Sequence, residues 1–355
     1  MKRFISQGRS DLRGVGSKPR LKDVAALAGV SLGSASRALS HPEAVRESTR
    51  AAVRAAAERL DYAPDLAARA LASRRTATIG LLAPTLANPI YAAFAQASQT
   101  AAAARGLQLL IASHEYERAQ GLAHVRSFVQ RGVDGLILIG ADHHPDVAEI
   151  LSATPHIYAW SYDEARGKGC IGVSNRSAMQ TVVRHLLDLG HRRFAVLTGD
   201  YQHNERARSR LEGIRDALLA NGTALKEEAV IVCPFSIHAG QEAMSRVLTL
   251  CPQPTAIICG SDLLAAGAMA EAAQRGVRVP GDISVTGFDD VDFAALLTPP
   301  LTTIRVPASD MGRHATNSLI DAIGGRESSD LQLPADLILR ASTGPAPRHS
   351  SANHE

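Results

Sequence analysis

Two hydrophobic rhythms divide the chain. Between Leu21 and Leu60 apolar side chains return every three or four positions, the period of an amphipathic helix; from Thr78 onward short apolar runs alternate with alanine- and leucine-rich stretches. In the first region Leu21, Val24, Leu27 and Ala28 fall on one stripe, and Gly29 follows where a left-handed residue ends a helix. Ser31 is placed to cap a second helix over 32–39, which buries Ala35, Ala38 and Leu39 and turns Gly33, Ser36 and Arg37 outward. A third helix over 47–60 carries Val53, Ala56, Ala57 and Leu60 on one face. Two short helices joined by a glycine turn and backed by a third make a helix-turn-helix. In that unit the second helix lies in the major groove of DNA with its first turns against base edges, so Leu32, Gly33, Ser34, Ser36 and Arg37 are the candidate DNA contacts. Plain helical bundles use similar pairs, and the pattern alone leaves both readings open.

The second rhythm predicts strands over 78–83, 107–112, 135–139, 156–160, 194–197, 230–233, 256–259 and 284–287. Between them lie amphipathic helices, among them 91–105, 178–189, 207–220 and 263–275. Nearly continuous apolar strands separated by helices are βαβ units, hence parallel sheets covered on both faces. The number of units suits two sheets. The fold class is therefore α/β: an all-α helix-turn-helix head followed by a core of two doubly wound parallel-sheet subdomains.

Charge separates the two regions. Residues 1–75 hold 15 Lys/Arg against 7 Asp/Glu, a net +8, while the rest of the 355-residue chain carries −5. A basic head on an acidic body points the head toward a polyanion, which favours the DNA-binding reading over a plain bundle. Residues 1–19 are basic and have no apolar stretch or small-residue cleavage site, and no apolar run approaches the length of a membrane span. A cytoplasmic protein is expected. The cysteines Cys170, Cys233, Cys251 and Cys259 form no CxxC pair, so buried, reduced thiols are expected.

A search for catalytic and phosphate-binding patterns finds no G-x-G-x-x-G after a strand, no G-x-x-x-x-G-K-[ST], no G-x-S-x-G and no H-E-x-x-H. The tandem His143-His144 falls in a loop and suits the surface, and His185 and His191 flank a helix end, where they suit capping roles. Asp289 and Asp290 are adjacent and should point apart. No enzyme activity, cofactor or metal is expected.

The run Leu21-Lys22-Asp23-Val24-Ala25-x-x-Ala28-Gly29-Val30-Ser31, then Ser36-Arg37-Ala38-Leu39, resembles the N-terminal signature of the lactose/galactose repressor family of bacterial regulators. The likeness continues through Thr49-Arg50, Leu60-x-Tyr62-x-Pro64 and Ala67-x-x-x-Leu71 to nearly residue 340. It implies a hinge helix over 65–72, too short to be stable alone, with Leu71 wedged into the minor groove at the operator centre. The family usually has Asn where this chain has Asp65, still a competent cap but a repulsive neighbour for phosphate. The resemblance also implies a periplasmic-binding-protein-like core with a ligand cleft, crossed by the chain near 173, 304 and 336. Around that cleft it places Arg210, in Arg210-Leu211-Glu212-Gly213, and Asp289 as effector contacts, with Ser261 where the family commonly has Asn, and Phe235 as a stacking face. Asn88, Ile90 and Tyr91 would line the opposite wall, with Trp160 beside it. Read from the residues alone, Arg210 could be a surface arginine, Asp289 a helix cap, and the two aromatics plain core.

The resulting expectation is a DNA-binding transcriptional regulator, most often a repressor, that acts as a homodimer on pseudo-palindromic operator DNA under control of a small effector, a sugar or sugar acid. Its segments would be a basic arm (1–19), the helix-turn-helix (20–63), a hinge and linker (64–76), the core (77–342) and a tail (343–355). An unregulated binding module and an α/β enzyme with a nucleic-acid arm are the rival readings. The first 75 residues weigh against both.

Overall fold

The computed structural model describes residues 19–40, 42–62, 75–162, 169–327 and 330–347. They divide into two units between Thr76 and Ala77. The expected hinge helix, with Asp65 and Leu71, lies outside the described residues.

In the first unit α1 (Leu21–Leu27), α2 (Leu32–Ser40) and α3 (Glu47–Arg59) enclose a core of small residues: Val24, Ala25, Ala35, Ala38, Val53 and Ala56. Gly29 ends the first helix with φ 66, and the Ser31 hydroxyl accepts the Ser34 amide at 3.1 Å to cap the second. Leu27 departs from the predicted stripe: it is 43% exposed, and Ala25 is buried instead. At about 100° per residue, Leu21, Val24, Ala25 and Ala28 fit one narrow arc, and Leu27 lies outside it.

The second unit holds two six-stranded sheets. The first contains β1 (Thr78–Ala83), β2 (Gln108–Ser113), β3 (Gly135–Ile139), β4 (His156–Ser161), β5 (Cys170–Val173) and β11 (Leu331–Gln332), in the order β11-β5-β4-β3-β1-β2. The second contains β6 (Phe194–Thr198), β7 (Val230–Val232), β8 (Ala256–Cys259), β9 (Ser284–Asp289), β10 (Thr302–Arg305) and β12 (Asp336–Ile338), in the order β12-β10-β9-β8-β6-β7. Every neighbouring pair is parallel except β10 with β12. The chain leaves the first sheet after Val173, returns to it after Arg305, and crosses again between Gln332 and Asp336. All eight predicted strands form. The four short ones that periodicity does not announce are β5, β10, β11 and β12, either polar (Thr302-Thr303) or too short to show alternation.

The helices between strands are α4 (Pro89–Ala103), α5 (Arg118–Gln130), α6 (Asp146–Ser152), α7 (Asn175–Asp188), α8 (Glu205–Ala220), α9 (Ile237–Val247), α10 (Asp262–Gln274) and α11 (Ala308–Ile323). The α9–α10 pair packs backbone to backbone, since a Cβ on Gly240 would strike the Leu264 carbonyl and one on Gly267 the Ile237 carbonyl.

Three sequence expectations change here. His191 is fully buried and caps nothing: its ring bonds Thr255 (2.9 Å), Ser284 (3.0 Å) and the Gly344 carbonyl (3.0 Å), so it pins the C-terminal segment to the second sheet. His185 likewise reaches Thr343 at 3.1 Å rather than a helix carbonyl. The four cysteines are free, but only Cys170 and Cys259 are buried; Cys251 is exposed. Among the described residues no helix is long and apolar enough to cross a membrane.

Candidate functional site

In the head, α2 presents Leu32, Gly33, Ser36 and Arg37 to solvent while Ala35 and Ala38 hold its inner face. Leu32 is 54% exposed, an apolar side chain with no core to fill. Ser34 is half-buried and pairs with Ser31 through its hydroxyl (2.9 Å), so of the five candidate contacts it is the one committed to the cap. Arg37 folds loosely back on the Gly33 carbonyl (3.4 Å) and stays free to extend.

In the core, the C-terminal ends of the two sheets face one another, and polar bridges join them. Asn88, which caps α4 by accepting the Ile90 amide, donates to Asp289 at the end of β9 (3.1 Å). Glu205, the first residue of α8, accepts from the Ala141 amide beyond β3 and the Ser161 hydroxyl at the end of β4, each at 3.1 Å. Asp142 holds Arg118 of the first half (2.9 Å) and Arg208 of the second (3.1 Å). These bridges draw a cleft closed over a set of buried polar groups.

Arg210 lies in the second turn of α8, within the helix predicted over 207–220, and it is buried rather than superficial. Its Nη1 donates to Asn175 (2.8 Å), its guanidinium lies over the Phe288 ring (4.7 Å) and near Phe235 (6.0 Å), and its Nε has no partner. Arg206, one turn earlier on the same face, pairs with Glu205 (3.0 Å) and reaches so close to Gly140 that a Cβ there would collide with it. Tyr116 stands 5.9 Å from Phe235. Asp289 does not cap a helix; the Val291 amide goes to Asp262 instead. Asp290 turns away to Arg305 and Arg340, both at 2.7 Å.

Burial shapes the charges of this cleft. Burial raises the Asp289 carboxyl to about 7, against the pull of the Asn88 hydrogen bond and of Arg210. Glu205 goes the other way: burial opposes its charge, but the Arg206 guanidinium and the donated hydrogen bonds prevail and bring it to about 2. The Arg210 guanidinium is destabilised by burial, only partly relieved by Asp289. Both Asp289 (φ 118) and Trp160 (φ 87) hold left-handed backbone at a strand end beside the cleft, a strain of about 1–3 kcal/mol each in such residues.

Not every predicted cleft residue sits against the open face. Trp160 is 1% exposed and packs behind Tyr91 (ring centroids 4.7 Å) and Phe94 (5.7 Å), so it supports the wall from the core. Ser261 spends its hydroxyl oxygen capping α10 through the Leu264 amide (3.3 Å). Ile90 is buried in the first turn of α4. His143, expected on the surface, is half-buried: it bonds the Gly140 carbonyl (3.0 Å) and lies between the rings of His114 and Tyr158. Glu205, Arg206, Tyr116, His114 and Asn175 were missed. Only Arg206 left a signal, its four-residue spacing to Arg210 on one helix.

Residues 20–65 match the family model of bacterial regulatory proteins of the lacI family, and residues 183–343 that of a periplasmic binding protein-like domain. The chain is 32% identical over 306 residues to the ribose operon repressor of Escherichia coli (strain K12), covering 85% of this chain and 92% of that one. It is 30% identical over 331 residues to the HTH-type transcriptional repressor CytR of the same strain, covering 92% and 97%. The chain belongs to the LacI family. Among solved structures it resembles the lac repressor dimer bound to operator and the anti-inducer ONPF, with a TM-score of 0.82 at 27% identity over 92% of this chain and all of that one. As a LacI-family member it is a DNA-binding transcriptional regulator of the repressor type, with a helical head and two parallel-sheet subdomains.

Proposed function

We propose that the protein represses transcription from the cytoplasm as a homodimer on a pseudo-palindromic operator, and that a sugar or sugar acid bound between the two sheets sets its operator affinity. The observation that carries the effector site is the meeting of Asn88 and Asp289 across the cleft beside Arg210, whose buried Nε lacks a partner. A guanidinium and a carboxyl that face one space can grip the hydroxyls or the carboxylate of a small ligand, with Phe235 and Tyr116 against its apolar face. The name of the ribose operon repressor supports the sugar class. Any ligand that fits must break the Asn88–Asp289 bond or tighten it, so it binds one separation of the sheets better than another. That difference in binding free energy is what moves operator affinity.

In the head, Leu32, Gly33, Ser36 and Arg37 of α2 read base edges, with Ser34 holding the helix start, and Leu71 of the hinge wedges the minor groove. Thermal unfolding in the presence of sugars and sugar acids tests the effector half: a ligand at a hundred times its dissociation constant adds about 2.7 kcal/mol. Gel shifts on palindromic and single half-site DNA at rising salt test the other half. Equal affinity for both DNAs, or no salt dependence, sinks it.

A further inference from the structure

A cavity of about 90 Å³ opens at the amino-terminal end of the second sheet, where Phe194 starts β6, Ala229 precedes β7 and Pro254 leads into β8. The Arg210–Asp289 cleft lies toward the other end of these strands, so the two spaces are distinct. Phe194, Ala229 and Pro254 are buried and give the cavity an apolar floor. By the share that one water needs, it has room for about six to nine waters. Its rim is basic. Arg192, Arg193 and Lys226 surround it against one carboxylate, Glu228, which stands 3.4 Å from Lys226. Three cations and one anion make +2, on a body whose residues 76–355 carry −5. Backbone carbonyls place both guanidiniums: Arg192 Nη1 donates to Leu187 (3.1 Å) and His191 (2.7 Å) at the end of α7, and Arg193 Nε donates to Gln253 (2.8 Å). Such carbonyls orient a guanidinium and leave its charge in place. A side chain held before a ligand arrives also loses less freedom on binding.

We propose that this cavity is an anion site for small phosphate monoesters, separate from the effector cleft. The phosphoryl oxygens accept from Arg192, Arg193 and Lys226, and a short carbon body lies against Phe194 and Leu250. The rim selects the phosphoryl group: a monoester brings three acceptor oxygens and nearly two negative charges, which match three cationic side chains and a net +2. A carboxylate brings two oxygens and one charge and leaves one cation unanswered. The floor selects the ester over free phosphate, because an ion that is oxygen on every side leaves the apolar wall in water, whereas a carbon body covers it.

Cys251 supplies a local reporter: it lines the cavity and is exposed, so an occupant slows its alkylation by iodoacetamide, read peptide by peptide in a mass spectrometer. Calorimetry on the full chain runs beside it. The probes are phenyl phosphate, inorganic phosphate and benzyl alcohol, on wild type, Arg192→Met, Lys226→Met and Arg210→Ala. Phenyl phosphate should protect Cys251 and bind about tenfold more tightly than inorganic phosphate. Arg192→Met should weaken it about ten- to a hundredfold, and Arg210→Ala should leave it unchanged. Lys226→Met, at an exposed position, repeats the test should Arg192→Met not fold. Wild-type Cys251 that no phosphate protects overturns the site. Equal affinity for phenyl phosphate and inorganic phosphate overturns the monoester assignment, and equal affinity for benzyl alcohol overturns the role of charge. Binding lost in Arg210→Ala and kept in Arg192→Met places the anion in the cleft, which overturns the separate site.

Discussion

The head and the cleft use buried and exposed positions in opposite ways. The head buries only small apolar residues and displays its proposed DNA contacts, Leu32, Ser36 and Arg37, on a helix exterior. The cleft buries its charged side chains Arg206, Arg210, Glu205 and Asp289, the proposed effector groups among them. The first arrangement suits a large, flat polyanion that brings its own water and counterions. The second suits a small ligand that must replace water at every polar atom. A displayed side chain keeps its ordinary charge and acts through contact alone, whereas a buried one has its charge set by neighbours and so couples binding to the closure of the sheets.

The largest expected break in this contrast is a pH effect confined to the cleft. Because the folded carboxyl of Asp289 lies near 7 instead of in the ordinary carboxylate range, the folded state holds a proton that the unfolded state releases. Its contribution to stability is present at low pH and declines as pH rises through the window from about 4 to about 7. Asp289→Asn, which cannot ionise, should therefore gain on wild type across that window by an amount on the order of a few kcal/mol, capped by the cost of opening the cleft. Urea unfolding of both chains from pH 4.5 to 7.5 measures this, and a constant difference across the range refutes it.

Next in size, Arg210→Ala removes charge-assisted hydrogen bonds worth about 1.5–3 kcal/mol and should weaken effector binding ten- to a hundredfold, with operator affinity in the absence of effector unchanged. Arg37→Ala is the mirror experiment. It should cost about 1–3 kcal/mol in operator binding and relax preference at one base pair, with effector binding intact. Calorimetry and gel shifts on the two variants either keep the regions separate or show that each variant damages both functions. The smallest effect belongs to the cap: Ser31→Ala loses the bond to the Ser34 amide and should destabilise the head alone by about 1 kcal/mol, seen as a shift in its own unfolding transition.

The contrast also explains what could be read in advance. The three helices of the head follow from spacing, with Leu27 misplaced by one step around its helix because an i+3 repeat drifts away from a 3.6-residue turn. The long strands of the core were legible as apolar runs, whereas Thr302–Arg305 and Leu331–Gln332 were not, since the first is polar where an apolar run marks a strand and the second is too short to show one. In the cleft, Arg210 and Asp289 were reached through motif register, and Arg206 could have been found from its helical spacing to Arg210. Tyr116 and His114 carried no signal at all. Tyr116 occupies its place through a left-handed turn with Glu115 (φ 66 and 46) that no residue type there announces.

By itself the amino-acid sequence determined the order of helices and strands, the basic charge of the head and the outward face of α2, because periodicity and net charge are local properties that each segment carries wherever it lies. The tertiary structure alone decided that Arg210 and Arg206 are interior, that His191 anchors the C-terminal segment, and that Asn88 meets Asp289 across 201 positions of chain. Burial and pairing depend on which surfaces the two sheets turn toward each other, and the charges of the cleft depend on burial. No single segment contains that information, since each side chain's environment is supplied by residues distant in the sequence, for Asn88 and Glu205 by residues from the opposite half of the core.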